Sequence, residues 1–127
     1  MSDTTTRGIR VHVETTYLPE HSSPEENLFF FAYRIRIANS GNETVQLLSR
    51  RWHITDAHGR REVVEGPGVV GQQPVLRPGE AFEYQSFCPL PTPLGTMEGA
   101  YIMQTADGEP FEAAIAPFHL FAPQSVN

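Results

Sequence analysis

The sequence predicts an all-β protein, an immunoglobulin- or fibronectin type III-like β-sandwich of about seven to eight antiparallel strands. Three observations carry that expectation. Apolar residues recur with a period of two instead of the ~3.6 of a helix. Turn-forming clusters punctuate the chain every ~8–12 residues. The 11 prolines lie mostly in the connections between the alternating runs.

The elements follow in order. Residues 1–7 carry no apolar anchor and are expected to be poorly ordered, as are residues 123–127. From Ile9, "IRVHVET" sets Ile9, Val11 and Val13 against Arg10, His12 and Glu14. The polar stretch "PEHSSPEEN", Pro19 to Asn27, is expected to be a poorly ordered loop. "FFFAYRIRIAN" from Phe29 puts Phe31, Tyr33, Ile35 and Ile37 on one face and Phe30, Arg34 and Arg36 on the other. Both runs read as half-buried strands with one wet face.

Shorter strands are expected at "TVQLL" from Thr44, "RWHIT" from Arg51, "REVV" from Arg61 and "AFEYQSF" from Ala81. Two more lie at "TMEGAYIMQTA" from Thr96 and "FEAAIAPFHLF" from Phe111. Turn chemistry separates them at "NSGN", "DAHG", "RPGE" and "ADGEP", and Asp107-Gly108 is a strong hairpin signal.

The 127 residues form a single domain, 1–127, long enough to bury a core without staples. Every basic side chain apart from histidine is arginine, which removes the lysine that a G-x-x-x-x-G-K-[ST] phosphate loop requires. A net charge of −6 argues against a nucleic-acid partner. Cys88 is the sole cysteine, so neither an intrachain disulfide nor a thiolate zinc cluster can form. The N-terminus has no apolar run of signal length, and no stretch reaches the ~18 apolar residues of a membrane span. The expectation is a cytoplasmic protein with no membrane partner, no cofactor and no metal.

Gly66, Gly68 and Gly71 spell G-x-G-x-x-G within "EGPGVVGQQP". A dinucleotide fingerprint needs a helix to open at the third glycine, and Pro74 and Pro78 preclude one here. The loop reads first as a tight bend. Its alternative use is an anion-binding nest of backbone N–H groups. Arg50-Arg51 and Arg60-Arg61 flank "DAHG", so closing that hairpin would bring the pairs towards each other, one arginine of each on a shared face. Surface ion pairing is their ordinary use; a phosphate is the other.

The five histidines, among them His53 and His58 around Asp56, show no metal-ligand spacing. Cys88 has no activating neighbour and reads as a buried, inert thiol. Ser86 lacks a G-x-S-x-G elbow. No catalytic residue is assigned, and the chain is expected not to be an enzyme.

The run from Arg50 to Met103 resembles the signature of the ApaG family. The motifs are W-x-I-T-D from Trp52, G-x-G-V-V-G-x-Q-P-x-L-x-P-G from Gly66, F-x-Y-x-S from Phe82 and T-P-x-G-x-M-x-G from Thr92. The resemblance continues upstream through "IRVHVETTYLPEHS" and "FFFAYRIRIANSG", with Pro67 inside the glycine loop a departure in detail. It implies a fibronectin type III-like sandwich and a small bacterial cytoplasmic protein. It also implies a genetic neighbourhood shared with a diadenosine tetraphosphate hydrolase, and a link to cobalt resistance and magnesium efflux. Related domains occur in an F-box protein and a DNA-polymerase-interacting protein, where they bind other proteins.

The functional expectation is a non-enzymatic binding module that meets a protein partner through loops at one end of the sandwich. Its contact residues would be Gly66, Gly68, Val69, Val70, Gly71, Arg50, Arg51 and Leu94. The alternative is a sensor that holds a pyrophosphate-containing nucleotide at the glycine loop. An exposed edge strand would also permit a homo-oligomer.

Overall fold

Alternation gives each strand one apolar row, and burying such rows requires two sheets that face each other. The computed structural model, which describes residues 1–123, has that architecture. In chain order the strands are β1 (Ser2–Thr6), β2 (Ile9–Tyr17), β3 (Phe29–Asn39), β4 (Val45–Asp56), β5 (Arg61–Pro67), β6 (Val75–Leu76), β7 (Ala81–Leu90), β8 (Leu94–Thr105) and β9 (Pro110–Phe121). One sheet runs β1-β2-β3-β7 and the other β5-β4-β8-β9, with β6 paired to β4. Every pairing is antiparallel.

The inner rows meet in one core. Val11, Val13, Ile35 and Ile37 from the first sheet face Tyr101, Met103 and Leu120 from the second, all fully buried. Phe30 lies on the outer face as its parity requires, stacked on Phe87 at 5.8 Å.

Three expectations need correction. Residues 1–7 are not a loose leader, because Ser2–Thr6 pairs residue by residue with Ile9–Val13. The missing apolar anchor is replaced by a chelate on the wet face: the Arg10 guanidinium donates to both carboxylate oxygens of Asp3, with Nε to Oδ1 at 2.9 Å. "TVQLL" and "RWHIT" form one strand, β4, interrupted by a bulge between Leu47 and Ser49. The two-residue β6 brings the strands among the described residues to nine. The expectation for residue 123 and beyond falls, but for Pro123, outside those residues.

Asp3 supplies a pH test of the N-terminal strand. Chiefly through its hydrogen bonds to Arg10, its carboxyl is held down at about 2. A depressed folded value means that the contribution is complete above the ordinary carboxyl range and is lost as pH falls through about 2. A carbon-13 titration of the Asp3 carboxyl should therefore have its midpoint near 2, with the Thr4 and Thr5 amides moving in step. A midpoint at the ordinary aspartate value would mean that the Arg10 chelate does not form in solution.

The two sides of the sandwich differ. At one, β1 lies against β9, and the Ala114 N–H donates to Thr6 Oγ1 at 3.2 Å. At the other, β7 and β5 end their sheets without pairing to each other, and clefts open between the layers.

Candidate functional site

The bulge in β4 decides which arginine enters the sandwich. An uninterrupted alternation from Val45 and Leu47 would send Arg51 inward; one extra residue shifts the parity, so Arg50 and Trp52 face in. Arg50 pairs with Gly66 on β5 and Tyr101 on β8, and Trp52 pairs with Val64 and Gly99. Arg51 then points out, where its Nη2 donates to Glu112 Oε1. Arg61 shares that outer face and contacts His53 Nδ1 at 3.0 Å. One arginine of each pair, Arg51 and Arg61, lines a shared outer cleft of about 490 Å³ with His53, Glu98 and Glu112, although in register Arg61 stands opposite Thr55 and Arg51 opposite Glu65.

Arg50 braces the glycine loop from beneath. Its Nη1 donates to the carbonyls of Pro67 at 3.0 Å and Gly68 at 2.8 Å. Gly66 makes room for this, since a Cβ there would lie 3.0 Å from the guanidinium. Gly68 has φ +59°, and a Cβ on it would stand 2.4 Å from the Gln72 carbonyl oxygen. Substituting Gly68 therefore disturbs the fold of the loop itself, so it cannot serve as a clean probe of binding.

The loop closes as a tight hairpin. Val69 and Gln72 exchange both backbone hydrogen bonds, at 2.8 and 2.9 Å, around Val70 and Gly71. Both central residues are left-handed, at φ 42° and 79°, which is the type I′ pattern normally filled by Asn-Gly. The amides of Gly68, Val69 and Gln72 are thereby spent within the chain, the first on the Leu48 carbonyl. Between Gly68 and Gln72 only the consecutive Val70 and Gly71 amides keep no backbone partner among the described residues, which confines any anion nest to the hairpin tip.

Val70 is the anomaly. A β-branched residue in the left-handed region is strained, and this one is 54% exposed. Val70→Asn should stabilise the protein by about 1 kcal/mol by relieving that strain. Urea denaturation checks it; an unchanged or lowered midpoint would contradict the hairpin geometry.

Below the hairpin lies a cleft of about 390 Å³. Tyr33, Trp52 and Tyr84 form its aromatic wall, with Arg50 and Ser86 as its polar groups, and Pro67, Val69 and Val70 overhang it. Tyr33 packs edge-on against Trp52 at 5.5 Å between ring centroids. Tyr84 and Tyr101 share a 2.5 Å hydrogen bond between their hydroxyls. Burial pushes all three phenols up, against the opposing pull of Arg50, so they remain protonated. Cys88, further along β7, is buried and raised to about 11, an unreactive thiol.

The loop expected to join this surface lies elsewhere. Thr92 Oγ1 accepts from the Ala57 N–H and donates to the Leu94 carbonyl, fixing Leu94 beside the "DAHG" turn. Gly68 is tied to Leu48 at the other end of the same strand, roughly 25–30 Å away at ~3.3 Å per residue. Val69 is fully buried, whereas Val70 and Leu94 are exposed at separate places. Tyr33, Trp52, Tyr84 and Ser86 were absent from the expected set. Their signal was present as spacing: F-x-Y-x-S sets three side chains on one strand face, and R-x-W sets two.

A family model described as the ApaG domain matches residues 19–105. Protein ApaG of Methylobacterium sp. (strain 4-46) is 58% identical over 118 residues, covering 93% of this chain and 91% of the relative. Protein ApaG of Rhodospirillum centenum is 60% identical over the same coverage. The crystal structure of a Bordetella pertussis protein carrying the name ApaA superposes with a TM-score of 0.88 at 50% identity, covering 92% of this chain and 95% of that one.

Proposed function

The chain belongs to the ApaG domain family, and on that premise we propose that it is a non-enzymatic, cytoplasmic recognition module that engages a protein partner at the open side of its sandwich. The observation that carries the reading is Val70, exposed and held left-handed at the tip of a hairpin braced by Arg50. Strain of this kind persists where a site uses it. The focus is therefore the Val69–Gln72 hairpin and the cleft beneath it; Leu94 and Arg51 fall outside it. Effects on cobalt resistance and magnesium efflux enter this reading as consequences passed on by the partner.

A photo-crosslinking residue placed at Val70 in cells should capture a discrete protein, while the same residue at Phe121, equally exposed on β9, should not. Val70→Asn should keep the fold and weaken the capture. Equal labelling from both positions would remove the hairpin from the binding surface. A pyrophosphate nucleotide is the competing ligand. Saturable amide shifts across Gly66–Gly71 on adding pyrophosphate, without a captured protein, would put it in the partner's place.

A further inference from the structure

The cleft under the hairpin contains one charged side chain, Arg50, and that charge is unmatched. Among the described residues the outward-facing Arg51, next to it in the chain, has Glu112 as its partner. No carboxylate among the described residues stands within ion-pair distance of Arg50. Its Nη1 is satisfied by two carbonyl dipoles, which leave the net charge in place. The half-buried guanidinium thus lies among aromatic rings with Nε and Nη2 free of partners among the described residues.

Charge and shape together define the ligand. A cation drawn partly out of water is stabilised by an anion that meets it. One guanidinium with a planar fork matches one carboxylate. A phosphate dianion would bring a second negative charge into a cleft with no second cation, and the Gly68, Val69 and Gln72 amides are already spent within the chain. The remaining wall, Trp52, Tyr33 and Val70, suits an aromatic or aliphatic body. A volume of about 390 Å³ falls within the range of small-ligand pockets.

We propose that this cleft binds a monocarboxylate carried on an aromatic or aliphatic body, with the carboxylate on Arg50 and the body against Trp52 and Tyr33. The inference rests on the open side being the recognition surface. The carboxylate has two sources, a free small acid or a residue of the bound partner, and the same chemistry serves both.

Trp52 is the chain's only tryptophan, so its fluorescence reports on the cleft directly. The probes are phenylacetate, its neutral twin phenylacetamide, and inorganic phosphate. A short peptide ending in phenylalanine, with its C-terminal amide as control, tests the second source. Phenylacetate should saturate and bind at least about tenfold more tightly than phenylacetamide, a difference of about 1.4 kcal/mol. Arg50→Gln should lose that preference while keeping a dispersed amide spectrum. A free acid peptide that outbinds phenylacetate by a similar factor would assign the carboxylate to a partner chain; parity would assign it to a small acid. Equal binding of acid and amide, tighter binding of phosphate, or no saturation by tens of millimolar would each overturn the proposal. Should Arg50→Gln fail to fold, the comparison of acid with amide on the unaltered chain still decides. A protein captured at Val70 that binds the Arg50→Gln chain undiminished would keep the module and remove the carboxylate.

Discussion

Gly99→Ala is expected to lower the free energy of unfolding by about 3 kcal/mol, the upper end of what overpacking costs. The added Cβ would sit 2.0 Å from the Arg51 carbonyl oxygen, and also close to the Trp52 backbone. Backbone on both sides of the clash leaves nothing flexible to yield. Gly99 stands opposite Trp52 where β8 bulges against β9, so the two strands would have to part at the place that seats the tryptophan. Gly59→Ala is the control. It is left-handed, φ +81°, where Gly99 is not, but has nothing within 4 Å, and should cost only about 1 kcal/mol. Urea denaturation of the pair separates clash from conformation: equal losses would mean that the β4–β8 approach is looser than the structure has it.

Trp52→Ala should cost about 4 kcal/mol, a large share of a domain stability of ~5–15 kcal/mol. The indole is 3% exposed and links the sheets, edge-on to Tyr33 at 5.5 Å and to Phe118 at 5.8 Å. Removing it opens a void continuous with the cleft, so water can enter and partly relieve the cavity. The loss should therefore fall short of a sealed cavity of the same size. Circular dichroism in urea measures the loss. A cost below about 1 kcal/mol would show that Trp52 packs loosely and that the cleft extends into the core.

Most of the strands are legible in the sequence, because a strand with one wet face writes its own burial pattern. Phe29–Asn39 was legible to the residue, its parity set by Phe31, Tyr33, Ile35 and Ile37. The Asp107-Gly108 hairpin was equally direct, with Gly108 at φ 87° and its N–H on the Thr105 carbonyl. The first strand was missed because its burial is slight: Asp3 and Arg10 hold it by charge on the exposed face. The family was legible too, since its motifs are contiguous in the chain and match residue by residue.

The candidate site was legible in pieces only. Gly66, Gly68 and Gly71 announced a special loop, and the absence of a following helix removed the dinucleotide reading on sequence grounds alone. That Gly68 and Gly71 sit at positive φ while Gly66 clears a path for Arg50 could not be read from spacing.

By itself, then, the sequence determined the fold class, most of the strands, the family, and the exclusion of a lysine phosphate loop, an intrachain disulfide and a thiolate zinc cluster, because each depends on residue type or local period. The tertiary structure alone decided which of Arg50 and Arg51 faces inward, since one bulge between Leu47 and Ser49 reverses the parity of everything after it. It also decided that the glycine hairpin and Leu94 lie far apart, and that Tyr33, Tyr84 and Trp52 share a cleft. Those residues come from strands distant in sequence, and only the packing of one sheet on the other brings them together.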